Sequence, residues 1–265
     1  MSTPKKTLLS IVMPVYNEKR TFRECFIQVF NKEIEGVDKE IIIVESNSTD
    51  GTRELVRQVS KENGVKVIYQ DLAKGKGNAV RAGLQAISGD IVLIQDADLE
   101  YDVNNYDALV QPILNNEAAF VLGSRHTGNW KMREFNNEPM IASIFNFGHI
   151  IFRGLLNILY RQLLRDPFTM YKVFRADCLK GVHLECDRFD FDFEIVIKLI
   201  RRGFTPLEIP VSYKARSFQE GKKVSFWKDP WTWLWALFKY RFCKIDKLST
   251  NKTGTCHSEK LIPKF

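Results

Sequence analysis

The strongest constraint on how this chain folds is a rhythm. Short apolar runs at residues 10–13, 40–44, 65–69, 91–95 and 119–122 are each bounded by turn residues, and amphipathic stretches at 19–30, 52–62, 76–87 and 105–115 separate them. Runs that are apolar on both faces need cover on both faces, so the pattern predicts an α/β fold with a mostly parallel sheet flanked by helices. Sheets of that kind bind ligands beyond the carboxyl ends of their strands. The unusual residues fall there. Pro14-Val15-Tyr16-Asn17-Glu18 follows the first run, Glu45-Ser46-Asn47-Ser48-Thr49-Asp50-Gly51-Thr52 the second, and Asp96-Ala97-Asp98-Leu99-Glu100 the fourth. Three polar loops are therefore expected to converge on one edge.

The second half is less regular. Residues 141–164 read as a long apolar helix whose only charges are Arg153 and Arg161, residues 190–202 as an amphipathic helix, and residues 206–213 as a late strand. There is no internal repeat and no linker rich in Pro, Gly or Ser. Residues 1–245 are expected to form one domain, with a first half at 1–125 and a second at 126–245. Residues 246–265 read as a flexible basic tail.

Composition narrows the partners. With 265 residues, 45% hydrophobic and 27% charged, the chain is neither disordered nor a coiled coil. Residues 211–265 hold 12 Lys and Arg against 4 Asp and Glu, whereas the first 210 residues hold 27 against 28. A near-neutral body with a basic end suggests an anionic partner met in one place, and argues against nucleic acid. Five scattered cysteines without a C-x-x-C pair fit a reduced, cytoplasmic compartment. The longest central stretch without charge, residues 139–152, is too short for the roughly 20 apolar residues of a membrane span.

Asp96, Asp98 and Glu100 lie at i, i+2 and i+4 after a buried strand. Alternate residues of an extended segment point the same way, so their oxygens can meet on a hard divalent cation such as Mg²⁺ or Mn²⁺. Such residues also serve as turns and caps. That second reading stays open for Asn17, Ser48 and Asp50 as helix caps. Tyr16 and Glu18 at a strand end can hold a ribose and base, and Glu45 can accept from a base N–H. Lys74-Gly75-Lys76-Gly77-Asn78-Ala79 opens a helix in a way that suits an anion.

Taken together, these segments resemble glycosyltransferase family 2, most closely its dolichol-phosphate and polyprenyl-phosphate sugar synthases. The resemblance rests on the order and spacing of Val12 to Glu18, Ser48 to Thr52, Lys74 to Ala79, Gly89-Asp90 with Asp96-Ala97-Asp98, and Gly123-Ser124-Arg125. It continues through Asp166-Pro167-Phe168-Thr169, Phe191-Asp192-Phe193-Glu194 and Arg216 to Lys223, about 240 residues in all. It implies a GT-A fold, Rossmann-like, and an inverting, metal-dependent transfer from a nucleoside-diphosphate sugar. By matching motifs, Pro14, Tyr16, Glu18, Glu45, Lys76 and Asp96 would line the nucleotide site, and Asp96, Asp98 and Glu100 would hold the metal. Arg125, Arg133, Arg216, Lys222 and Lys223 would bind phosphate of acceptor or donor. Three departures stand out: Glu45-Ser46 replaces a pair of aspartates, Glu100 a glutamine, and Phe168-Thr169-Met170 the usual Thr-Ser-Gly.

An acceptor phosphate monoester is already a nucleophile at pH 7, because its second pKa is near 6. A hydroxyl acceptor on a glycan or lipid-linked oligosaccharide needs a base, for which Asp166 is the first candidate and Asp192 and Glu194 the next. A nucleotide-sugar-binding protein without turnover is the reading from another class. The C-terminal segment bears on the acceptor. Asp229-Pro230 starts a helix, and Trp231, Trp235, Phe238 and Phe242 share one face with Lys239, Arg241, Lys244 and Lys247 nearby. That pattern predicts a peripheral membrane contact; a helix that packs into the core is the alternative.

Overall fold

A computed structural model describes residues 6–126, 139–216 and 229–244. Strands β1 (Thr7–Val15), β2 (Val37–Glu45), β3 (Val65–Tyr69), β4 (Ile91–Ile94), β5 (Phe120–Ser124), β6 (Lys172–Arg175) and β7 (Leu207–Pro210) form one sheet. Their spatial order is β3-β2-β1-β4-β6-β5-β7. Helices α1 (Phe22–Asn31), α2 (Thr52–Val59), α3 (Lys76–Leu84) and α4 (Tyr106–Leu114) connect the first five strands, each within a few residues of its expected span. Burial explains the pattern. β4 is buried at all four positions and β1 at its last seven, whereas β3, at the sheet edge, is covered only in part.

β6 departs from the expected alternation. It enters antiparallel between β4 and β5, with Val173 opposite Leu93 on one side and Val121 on the other. Four residues beginning with a lysine carry no readable periodicity, so this strand is dictated by the vacant edges on both sides rather than by its own composition. Its insertion buries Lys172 beneath the carboxyl ends of the neighbouring strands, where the ammonium pairs with Asp192 at 2.7 Å.

Helices α5 (Pro139–Tyr160), α6 (Phe191–Arg201) and α7 (Asp229–Phe242) cover the second half. α5 stops four residues short of the expected end, where Arg161 takes a left-handed conformation. α7 has two distinct faces. Ala236, Leu237 and Tyr240 are buried, while Trp231, Trp235, Phe238 and Phe242 are 72, 68, 43 and 80% exposed. The aromatic stripe expected on one face is thus turned outward. The helix is fastened at both ends: Asp229 accepts from Arg188 at 3.0 Å, and Arg201 donates to the carbonyls of Tyr240 and Cys243 at 2.5 and 2.7 Å. No helix among the described residues is long and apolar enough to cross a membrane.

At the amino end of the sheet, Glu40 ties three segments together. Its carboxylate accepts from Ser10 Oγ at 2.6 Å, from Ser88 N and Oγ at 2.6 and 2.7 Å, and pairs with Lys66 at 2.6 Å. Burial alone would raise its pKa, but the bonds from Lys66, Ser10 and Ser88 outweigh burial and hold it down to about 2, against an ordinary 4.5. A carboxyl depressed in this way contributes stability above pH 4.5 that is lost as the pH falls toward 2. Glu40→Gln is therefore expected to be less stable than wild type in urea at pH 7, with the difference shrinking between pH 4.5 and 2; a constant difference across that range would contradict the linkage.

Candidate active site

The three loops at the carboxyl ends of β1, β2 and β4 each contain a left-handed residue other than glycine: Asn17, Asn47 and Leu99, with φ of 50, 57 and 61°. Asparagine tolerates that conformation; leucine rarely adopts it. At Leu99 the turn is held by Asp98 Oδ1, which accepts from Glu100 N at 3.1 Å. Strain of this kind persists only where the surroundings over-determine it. The loops are also laced to one another. Asn17 N donates to Ser48 Oγ at 3.0 Å, Thr49 N to Asn17 Oδ1 at 2.8 Å, and Thr21 Oγ1 to Ala97 O at 2.8 Å. Asn17 and Ser48, read as possible helix caps, bind each other's loops instead, while Asp50 does accept from Thr52 N at 3.0 Å as α2 begins.

Four carboxylates meet at this edge, and each has a positive or donating partner. Lys76 Nζ lies 2.7 Å from Asp96 Oδ2. Arg216, arriving just after β7, reaches Glu18 Oε2 at 2.8 Å with Nη1 and Asp98 Oδ2 at 2.9 Å with Nη2. Glu100 accepts from the Arg216 backbone N–H at 2.8 Å and from Tyr213 Oη at 3.1 Å. Burial, then the nearby charges of Asp96 and Glu100, push the Asp98 carboxyl up to about 7 despite Arg216.

The glycines around Lys76 have a packing reason. A Cβ on Gly75 would lie 2.4 Å from the carbonyl oxygen of Asp187, and one on Gly77 2.5 Å from that of Cys186. Asn78 N donates to Asp187 O at 3.0 Å. The segment 184–188 therefore lies directly over the start of α3, while Lys74, Gly75 and Lys76 still border the cavity described next.

A cavity of about 600 Å³ opens between the loops and the second half of the chain. Pro14, Tyr16, Glu18, Lys76, Asp96, Asp98, Glu100, Arg125 and Arg216, all singled out in the sequence, line it. Glu45 and Asp166 do not. Glu45 is fully buried behind the wall, accepting from Ser48 N at 2.6 Å with Arg53 at 3.2 Å, and its neighbour Ser46 faces the cavity instead. Asp166 is fully buried behind Arg125, whose Nε and Nη2 it accepts at 2.7 Å each. Burial would raise the Asp166 pKa; Arg125 overrides burial and holds it well below the usual carboxylate range. Glu208 of β7 positions this loop by accepting from Arg165 N and Asp166 N at 2.8 and 2.6 Å. Arg133, Lys222 and Lys223 lie outside the described residues.

Beyond the carboxylates the cavity turns aromatic. Phe168, Phe193 and Trp233 stack in sequence, with ring centroids 4.0 and 5.7 Å apart, and Phe152 meets Trp233 edge-on at 5.5 Å. These rings are separated by up to 81 residues in the chain, so no local pattern announced them. His149 and Lys172 were missed for the same reason: their roles depend on what lies opposite.

A divalent cation fits the chemistry of this edge. Glu18, Asp96, Asp98 and Glu100 are four oxygen-donor carboxylates with two cations, Lys76 and Arg216, between them, the donor type that hard divalent ions take. Among the described residues, however, no three acidic, histidine or cysteine side chains converge on one point. The carboxylates turn toward Lys76 and Arg216.

Residues 10–182 match the family model for glycosyl transferase family 2. Over 214 residues, 81% of this chain, the sequence is 28% identical to a dolichol-phosphate mannosyltransferase of Pyrococcus furiosus, and the match spans 58% of that protein's length. It is also 28% identical over 79% of its length to the dolichyl-phosphate beta-glucosyltransferase ALG5A of Trichomonas vaginalis, 67% of which is covered. Among solved structures, glucosyl-3-phosphoglycerate synthase of Mycobacterium tuberculosis, in complex with Mn²⁺, UDP-glucose and phosphoglyceric acid, superposes with a TM-score of 0.61 at 20% identity, covering 89% of this chain and 80% of that one. The likeness extends to the fold.

Removing the Asp166 carboxylate would leave Arg125 charged, buried and unpaired. Asp166→Asn is expected to lose about 3–5 kcal/mol of stability, the usual consequence of breaking one side of a buried ion pair. Urea denaturation checks this, and a loss under about 1 kcal/mol would show that Arg125 finds another partner.

Proposed function

This chain belongs to glycosyl transferase family 2, and from that premise we propose that it transfers a sugar from a nucleoside diphosphate to polyprenyl phosphate at the cytosolic face of a membrane. The observation that carries the proposal is the double role of α5 and α7. On their inner side Phe145, His149 and Phe152 of α5 and Trp233 of α7 line the aromatic end of the cavity. On their outer side Phe147 and Ile151 of α5, with Trp231, Trp235 and Phe242 of α7, are exposed. An amphiphile with a phosphate head and an apolar tail matches such a path, from lipid to aromatic wall to carboxylate edge.

The roles follow from position. Pro14, Tyr16 and Ser46 border the space for the nucleotide, and residues 1–125 would form the donor half and residues 126–245 the acceptor half. Asp96, Asp98 and Glu100 would hold Mg²⁺ or Mn²⁺, which when bound supplies Lewis-acid stabilisation of the departing diphosphate. Lys76, paired with Asp96 at 2.7 Å, adds positive charge beside the leaving group. Arg125 presents the remainder of its guanidinium to an acceptor phosphate, and Asp166 acts by fixing that guanidinium rather than by taking a proton. A phosphate acceptor needs no base.

A second reading has one observation in its favour. Asp192 borders the cavity and is oriented by Lys172 at 2.7 Å, which is how a base for a hydroxyl acceptor would be held. The deciding experiment incubates the protein with Mn²⁺, radiolabelled UDP-, GDP- and dTDP-sugars, and dolichyl or undecaprenyl phosphate, then extracts lipid. An acid-labile labelled lipid that disappears in Asp98→Ala is the expected result; nucleotide release with hydroxyl acceptors alone would reject the phosphate acceptor. Vesicle sedimentation tests the membrane contact: Trp231→Ser with Trp235→Ser should weaken binding to anionic vesicles roughly a hundredfold, at about 1.5 kcal/mol per ring.

A further inference from the structure

Arg216 sits where the carboxylates converge, yet its bonding is incomplete. Its guanidinium donates to Glu18 and Asp98, and its backbone N–H to Glu100, so it joins the loops after β1 and β4 from a segment more than a hundred residues away. Its Nε–H is buried without an acceptor, the nearest carboxylate oxygen, Glu100 Oε1, lying 3.9 Å off. A buried donor left unused beside a polar cavity calls for an explanation. A guanidinium also presents its five donors in a fork that matches phosphate oxygens as well as carboxylates.

We propose that Arg216 is an exchangeable counter-ion, which holds Glu18 and Asp98 until a divalent cation and a nucleoside diphosphate arrive together and then passes from carboxylate to phosphate. The inference rests on the metal-dependent reading above and adds the linkage between the two ligands. A divalent ion and the Arg216 guanidinium compete for the same Asp98 oxygen. The ion takes it readily only if the guanidinium gains another anion, and the diphosphate is that anion. The same exchange gives the Nε–H its missing acceptor. Metal and nucleotide therefore bind cooperatively, each weakly alone, and free cation is not held by an empty donor site. Glu100 strengthens the need for such a device, since it adds a negative charge next to Asp98.

Titration of Mn²⁺ followed by the electron paramagnetic resonance of the free ion, with and without UDP or GDP, tests this without any turnover. In the wild type, nucleotide should tighten Mn²⁺ binding about tenfold or more, within the usual range of coupling between sites. Arg216→Gln should bind Mn²⁺ alone about tenfold more tightly than the wild type and lose most of the nucleotide effect. Circular dichroism melting establishes that the variant is folded. Should it not fold, Arg216→Lys, which keeps the charge and loses the fork, must still show a reduced nucleotide effect. Unchanged Mn²⁺ affinity and unchanged coupling in both variants would overturn the exchange while leaving the metal site standing. Absence of Mn²⁺ binding in every protein, even with nucleotide, would overturn the metal reading and the exchange with it.

Discussion

Like charges brought together at the end of a buried sheet repel, and most of the architecture around this site follows from managing that repulsion. Four carboxylates lie at the ends of β1 and β4, joined through two shared cations rather than to one point. Lys76 answers Asp96 from the start of α3, and Arg216 answers Glu18 and Asp98 from beyond β7. Each cation belongs to a different segment, so charge neutralisation and assembly of the fold are the same event. Behind this front lies a second rank of closed pairs, Arg125 with Asp166 and Lys172 with Asp192, which orient groups at the cavity wall while adding no net charge to it.

Helices α5 and α7 solve a different problem. A helix whose inner face is needed for a cavity and whose outer face is apolar cannot be stabilised by burial alone, since little of its surface is hidden on either side. Polar clamps make up the difference: Tyr160 donates to the Leu237 carbonyl at 2.5 Å, Lys239 pairs with Glu185 at 3.0 Å, and Arg201 closes the C-terminal turn of α7. These contacts hold α7 by its ends and one flank, leaving the tryptophans outward.

The sheet and the three polar loops were legible because their signals are local. Strand burial shows as unbroken apolar runs, and a loop at a strand's carboxyl end needs only its position to be noticed. β6 was not legible, because four residues beginning with Lys172 become a strand only when two finished edges enclose them. The fates of Glu45 and Asp166 were hidden in another way. Both read as functional carboxylates, and nothing in the chain near them reveals that Arg53 and Arg125 close over them. The aromatic stripe of α7 lay between, for periodicity identified the face and only the packing of Ala236, Leu237 and Tyr240 decided which way it pointed.

The segment over Gly75 and Gly77 does more than fill space. Arg188 grips the first residue of α7, Asp187 accepts from the Asn78 side chain at 3.0 Å and from Arg81, and Glu185 pairs with Lys239 in the helix's last turn. A continuous set of contacts thus runs from the helix that bears the outward tryptophans to the backbone that carries Lys76. A displacement of α7 would be passed on to the cavity edge at the start of α3, so the outer face of one helix and the wall of the cavity are mechanically joined.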